Sequence, residues 1–167
     1  VVGDDAQPCG SGEIGHIQVK GPNVFAGYWR MPEKTAEEFT DDGFFKTGDV
    51  GKFDEQGYVH IVGRSKDLII SGGYNVYPKE IEGFIDEMDG VAESAVIGVP
   101  HPDFGEAVVA VIVPRDGAKA PDERTVIDTP KQRIANFKVP KRVHGVAELP
   151  RHTMGKGQKN LLRERFK

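Results

Sequence analysis

The apolar pattern of this chain changes character at Gly63, and a different folding problem lies on each side of it. Upstream, short alternating runs such as Glu13–Val19 and Gly57–Val62 are separated by turn chemistry, notably Asp54-Glu55-Gln56-Gly57. A period of two buries one face only, so this half reads as a small β-barrel or sheet. Its single helical interruption is Pro32–Phe39, with proline where a first turn tolerates it and acids near the positive end of the helix.

Downstream the pattern mixes two periods. Leu68-Ile69-Ile70 is predicted as a short buried strand. Pro78 opens a helix whose Ile81, Phe84, Ile85 and Met88 form a core-facing stripe. Ala95–Val99 and the valine-rich Ala107–Val113 are apolar enough for inner strands. A helix is predicted around Asp122–Phe137 and another from Gln158 towards Lys167. Pro130 should kink the first of these or delay its start, because an interior proline costs about 3 kcal/mol. Strands and helices over one sheet make a compact α+β domain, so the fold class is α+β throughout.

Composition narrows the function without choosing it. A chain of 167 residues, 38% hydrophobic and 29% charged, is long enough for one or two small domains with a core. The single Cys9 permits no internal disulfide and no cysteine-rich zinc site, and His16, His60, His101, His144 and His152 fall at no ligand-like spacing, so no metal ligands are assigned. A reducing cytoplasmic setting is the default. No apolar run approaches the roughly 18 residues that span a bilayer, so no membrane partner is expected. The net charge of −4 conceals a polarity: residues 131–167 carry eleven Lys or Arg against Glu148 and Glu164. Such an end could meet nucleic acid, an acidic membrane face or a phosphorylated cofactor, or be a solvated basic face. Nucleic acid is disfavoured, since only Phe137 and Phe166 are available there for base stacking.

Four places could carry chemistry. In Thr47-Gly48-Asp49 a carboxylate at a strand edge could accept both hydroxyls of a ribose, although Gly-Asp is equally ordinary turn chemistry. Arg64 offers a planar fork suited to ribose or phosphate oxygens, or is a surface residue at a strand end. The paired Gly72 and Gly73 permit unusual dihedrals or the close approach of a thin ligand, or simply reverse the chain. Lys156 follows a glycine in a turn, which is how a loop aims one mobile cation at a phosphate; alone, it would be an exposed loop lysine.

Three blocks occur in fixed order: Phe45-Lys46-Thr47-Gly48-Asp49, then Gly63-Arg64-Ser65-Lys66-Asp67 running through Ser71-Gly72-Gly73-Tyr74-Asn75-Val76-Tyr77-Pro78-Lys79-Glu80-Ile81-Glu82, then Leu149–Lys156. Together they resemble the back end of the adenylate-forming acyl-CoA synthetases, and the second and third look most like those of malonyl-CoA synthetases. The resemblance implies that 1–64 is the last β subdomain of a large AMP-binding domain and 65–167 a small mobile carboxy-terminal domain. It also implies a two-step ligase that uses ATP and CoA and acts on a small carboxylic acid. Within that scheme Asp49 and Arg64 would contact the ribose, Lys66 would be the hinge, Gly72 and Gly73 would border the pantetheine passage, and Lys156 would be the adenylation lysine. Lys138 and Lys141 could attract CoA phosphates.

The same resemblance places the phosphate loop, the acyl pocket and the ligand for the expected Mg2+ upstream of Val1, so the missing amino-terminal part of the same enzyme becomes a partner and the fragment alone is expected to be inactive. The loop departs from the family pattern at His152 and Gly157, which should loosen it. Two other readings stay open: an adenylation domain that loads a carrier-protein thiol, and a non-catalytic module binding CoA or RNA through the basic tail.

Overall fold

Upstream of Gly63 the alternation becomes three antiparallel strands, β1 (Gly15–Val19), β2 (Phe45–Phe53) and β3 (Val59–Arg64), in that spatial order. The computed structural model describes residues 1–116, 121–131 and 133–167, which divide into two units, Val1–Lys66 and Asp67–Lys167. Helix α1 (Pro32–Glu38) interrupts the first unit with Pro32 at its amino-terminal position, where no donor is lost. The barrel alternative is not realised: among the described residues the sheet is open, and three strands are too few to close a cylinder. Val50 is the only apolar side chain of this unit that is buried, whereas Tyr58, Val59 and Ile61 are exposed.

The β2–β3 turn is organised by one carboxylate. Asp54 accepts hydrogen bonds from His60 at 2.7 Å, from the amide of Tyr58 at 2.8 Å and from that of Gln56 at 3.0 Å. The bond from His60, followed by that from the Tyr58 amide, holds the Asp54 carboxyl below its ordinary value of 3.8.

In the second unit a five-stranded sheet carries helices on both faces. Its strands are β4 (Ile69–Ser71), β5 (Tyr74–Val76), β6 (Val91–His101), β7 (Gly105–Pro114) and β8 (Arg142–Gly145); its helices are α2 (Pro78–Asp86), α3 (Glu123–Lys131) and α4 (Lys159–Arg165). The order is β5-β4-β7-β6, and β8 pairs in parallel with β7. One edge of β7 is paired with β6 along its length; the other is shared between β4 at Gly105 and β8 at Val109–Ile112.

The period of two sorts the apolar residues of β6 and β7 into two cores. Val96, Val108, Ala110 and Ile112 join Ile81 and Ile85 of α2 and Val126 of α3. Ala95, Ile97, Val99, Val109 and Val111 join Val146 and Leu162 of α4 on the opposite face. Burial on both faces explains why these strands read as continuous apolar runs rather than alternating ones.

Several expectations are corrected. The stretch Leu68-Ile69-Ile70 is not uniformly buried: Ile69 is 1% exposed but Ile70 is 53% exposed, because successive residues of β4 face opposite sides. In the helical stripe Ile81 and Ile85 are core, Met88 packs against it past the end of α2, and Phe84 is half-buried beneath the Arg133 guanidinium. The helix predicted to reach Phe137 ends at Lys131, with Pro130 in its last turn and buried. Proline donates no bond back to Val126, and the chain turns through bonds from the Arg133 and Ile134 amides to the Pro130 carbonyl. Residue 132, inside that predicted helix, lies outside the described residues. Among the described residues no helix is long and apolar enough to cross a membrane.

Two predictions follow from this packing. Ile85→Ala should cost about 2–5 kcal/mol through its cavity, while Ile70→Ala should stay within about 0.5 kcal/mol; urea denaturation measures both. For the Asp54 turn, a depressed carboxyl stabilises the folded form fully above its ordinary value and progressively less as pH falls through the folded value. Protection of the Tyr58 amide from hydrogen exchange should therefore drop below about pH 4, and Asp54→Asn should abolish that dependence.

Candidate functional site

Asp49 and Arg64 meet because they are register partners across β2 and β3. The Arg64 Nε lies 2.9 Å from Asp49 Oδ1, both side chains partly open to solvent. The approach to Asp49 is shaped by Gly48, whose φ of +73° favours glycine, and by Thr47, whose hydroxyl donates to the Ile17 carbonyl and accepts the Asp49 amide. The cross-strand pair therefore presents one carboxylate and one guanidinium side by side, a combination able to accept from and donate to vicinal hydroxyls. Lys66 is exposed within the single helical turn Ser65–Asp67, at the last position of the first unit.

In the second unit, Gly72 and Gly73 are the two central residues of the β4–β5 hairpin, with Ser71 opposite Tyr74. Their φ values of +58° and +81° define a primed turn, the type whose twist suits a two-residue hairpin. Chain reversal by itself accounts for both glycines. The turn is fastened to the β6–β7 hairpin by the Gly72 amide, which donates to the Phe104 carbonyl at 2.9 Å. Aromatic rings flank it: Phe104 stacks with His101, and Tyr74 with Phe137.

Lys156 is exposed in the loop before α4, and that loop is tied rather than loose. Arg151 and Gly157 form a β-bridge, the Gly155 amide donates to the His152 carbonyl at 2.8 Å, and the His152 amide donates to the Lys156 carbonyl at 3.1 Å. The His152 ring completes the turn, its Nδ1 accepting the Met154 amide at 3.0 Å, as a short polar side chain does in a side-chain-closed turn. The expected loosening at His152 is thus replaced by a local closure.

Lys156 and the glycine turn stand at opposite ends of the same hairpin. The lysine loop is anchored through Arg151 to Glu93, near the start of β6, whereas the glycine turn is bonded beside His101 and Gly105, at its far end. Eight residue steps along β6 separate those anchors, about 26 Å at the usual rise.

The basic carboxy-terminal stretch is largely compensated inside the fold. Six of its eleven cations pair with carboxylates: Lys131 with Asp128, Arg133 with Glu87, Lys138 with Glu80, Arg151 with Glu93, Lys159 with Glu82 and Arg163 with Asp67. Lys138 is held by both oxygens of Glu80, while Lys141 lies over the Phe104 ring. Sequence reasoning missed Arg151, Glu93 and Lys159 altogether. The one available signal was Glu82, an acid on the same helical turn as the core residues Ile81 and Ile85, which demands a partner; it is 6% exposed and accepts both the Val96 amide and Lys159.

Since both glycines occupy left-handed backbone, Gly73→Ala should lower stability by about 1–2 kcal/mol. A Cβ there meets no neighbour, so the cost is conformational, and Gly73→Asn should cost less; chemical denaturation separates the two.

Residues 80–156 match the family model of the AMP-binding enzyme C-terminal domain. The chain is 49% identical over 156 residues to a 3-[(3aS,4S,7aS)-7a-methyl-1,5-dioxo-octahydro-1H-inden-4-yl]propanoyl:CoA ligase of Rhodococcus jostii, covering 93% of this chain and 30% of that protein. It is 46% identical over 166 residues to a feruloyl-CoA synthase of an Amycolatopsis species, covering 99% of this chain and 33% of that one. Among solved structures, ATP-bound MatB from Rhodopseudomonas palustris is 61% identical with a TM-score of 0.90, over 99% of this chain and 33% of that chain. The chain thus spans about a third of the length of the curated relatives it matches.

Proposed function

This chain belongs to the adenylate-forming, AMP-binding enzymes, and from that premise we propose that it is the carboxy-terminal portion of an ATP-dependent acid–CoA ligase. In the first step a substrate carboxylate oxygen attacks the α-phosphorus of ATP, the bond to the β-phosphate oxygen breaks and pyrophosphate leaves. In the second the CoA thiol gives up its proton and attacks the acyl carbonyl, and AMP departs with the electrons of the acyl–oxygen bond. The observation that carries this reading is the tied loop that presents Lys156 at one end of the β6–β7 hairpin while the Gly72-Gly73 turn occupies the other.

Lys156 serves the first step. Two anions repel as they approach, and an ammonium between the carboxylate and the α-phosphate stabilises the charge that develops. Asp49 and Arg64 hold the ribose of the nucleotide, and Lys66 is the pivot between the parts that carry the two steps. Gly72 and Gly73, without side chains, let the pantetheine arm pass close to backbone, flanked by Phe104 and Tyr74. Among the described residues no cluster of three or more His, Cys, Asp or Glu is placed to hold a metal ion, and no step is assigned to one.

Malonate is the acid we propose, on the likeness of Ser71–Glu82 and Leu149–Lys156 to malonyl-CoA synthetases. The relatives named above act on unlike acyl groups, so the acid is chosen by residues other than those all of them share. The lone Cys9 supports a reducing, cytoplasmic setting. Pairing of four tail cations with Glu80, Glu82, Glu87 and Glu93 weakens the charge argument for a nucleic-acid-binding module.

In the full-length enzyme Lys156→Ala should slow malonate-dependent pyrophosphate release about 10²–10³-fold, while thioester formation from supplied malonyl-adenylate survives. Pyrophosphate release by that variant at the wild-type rate would remove Lys156 from the chemistry.

A further inference from the structure

Lys156 is exposed on a four-carbon stem, so whatever aims its ammonium must act on the backbone from which the stem springs. Five residues earlier stands Arg151, and its guanidinium forks. Nη1 donates to the Gly155 carbonyl at 2.9 Å, and Nη2 makes a close ion pair with Glu93. The Gly155 carbonyl belongs to the peptide group that leads directly into Lys156, and Gly155 itself sits at φ +78°, one of several conformations that glycine enters freely, so its backbone supplies no stiffness of its own. Glu93 belongs to β6, where it pairs with Val113 of β7 in the most deeply packed ladder of the unit.

We propose that Arg151, seated on Glu93, is a positioning residue that fixes the Gly155–Lys156 peptide to the central hairpin for the adenylation step; this rests on the ligase reading of Lys156. The fork is what the position requires. A guanidinium can hold a carboxylate with one nitrogen and a carbonyl with the other in a fixed plane, whereas a lysine supplies a single point charge. The far side of the loop is anchored independently, since Lys159 at the start of α4 is bonded to buried Glu82. Between that anchor and the hairpin, Arg151 fixes the Gly155 carbonyl. Arg151 and Glu93 are themselves 47% and 33% exposed, so their pairing adds little to global stability. A purely structural role and a positioning role therefore leave different signatures.

The experiment uses the full-length enzyme with Arg151→Ala, Arg151→Lys, Glu93→Gln and the double variant Glu93→Gln/Arg151→Ala, alongside Lys156→Ala and the remote control Glu87→Gln. Pyrophosphate release and thioester formation from supplied malonyl-adenylate are followed separately, with the melting temperature of each variant. Arg151→Ala should reduce kcat for pyrophosphate release by about 10–100-fold, with KM for ATP and acid little changed, because a misplaced catalytic group loses rate rather than binding. Arg151→Lys and Glu93→Gln should fall between it and wild type, the double variant should be no worse than Arg151→Ala, and thioester formation and melting should stay at wild-type values. Arg151→Ala with wild-type pyrophosphate release overturns the proposal while Lys156→Ala still fails. A parallel fall in both half-reactions with lowered melting also overturns it, in favour of a structural role. If Lys156→Ala is itself unimpaired, the ligase reading of the loop and this proposal fall together.

Discussion

The β6–β7 ladder is the pairing on which the second unit depends. It runs in continuous register from Glu93 opposite Val113 to His101 opposite Gly105, with a bulge before Glu93, and its central side chains are covered on both faces. An antiparallel sheet usually keeps one face in water; here α2 and α3 take one face and α4 the other, which makes the hairpin the interior of the domain. The two elements of this unit with a proposed chemical role are both fastened to this bar. The glycine turn is bonded to one end, the lysine loop to the other, and β8 lies along its flank.

Charge joins strand pairing and apolar packing in fastening the tail to the rest of the unit. The acids of 67–93 and the cations of 138–163 are separated by 58 to 96 positions in sequence, yet Asp67, Glu80, Glu82 and Glu93 each take one partner from the tail. Exposed pairs of this kind are individually weak, but Glu82 differs from the rest. Its carboxylate is buried at the outer edge of β6, where it accepts the Val96 amide as well as Lys159. A buried carboxylate without its cation is costly, so the start of α4 is specified by that demand and not only by Leu162 in the core.

Much of this was legible from local pattern. The valine-rich strands, the Ile81 and Ile85 face and the Pro32 and Pro78 helix starts all follow from periods and caps that a short window contains. The failures arose where the deciding partner is distant. β5 is three residues, Tyr74-Asn75-Val76, and β8 begins at the charged Arg142; each is a strand because a neighbour offers an edge, not because its own residues demand one. Ile70 faces solvent because it lies on the opposite side of β4 from buried Ile69 and Ser71, a side that the local apolar run does not reveal. For the candidate site, the residue types of Asp49, Arg64 and Lys156 were visible, but their roles came from resemblance, and the fork of Arg151 onto Glu93 left no local trace. A salt bridge across 58 positions has no periodicity to read.

The length of the bar bears on the chemistry in the ligase reading. Joining a carboxylate to a phosphate needs a cation between two anions, whereas delivering a thiol to an acyl carbonyl needs a narrow path and no added charge beside it. A compact site would have to satisfy both demands in one place, and a lysine that stabilised the first step would stand in the way of the second. Anchoring the lysine loop and the glycine turn at points about 26 Å apart along one hairpin removes that conflict. Rigidity is what makes the separation useful, because a flexible connection would let Lys156 wander towards the thiol path. The doubly buried valines of β6 and β7, which carry no chemistry, thus set how independently the two ends can be tuned.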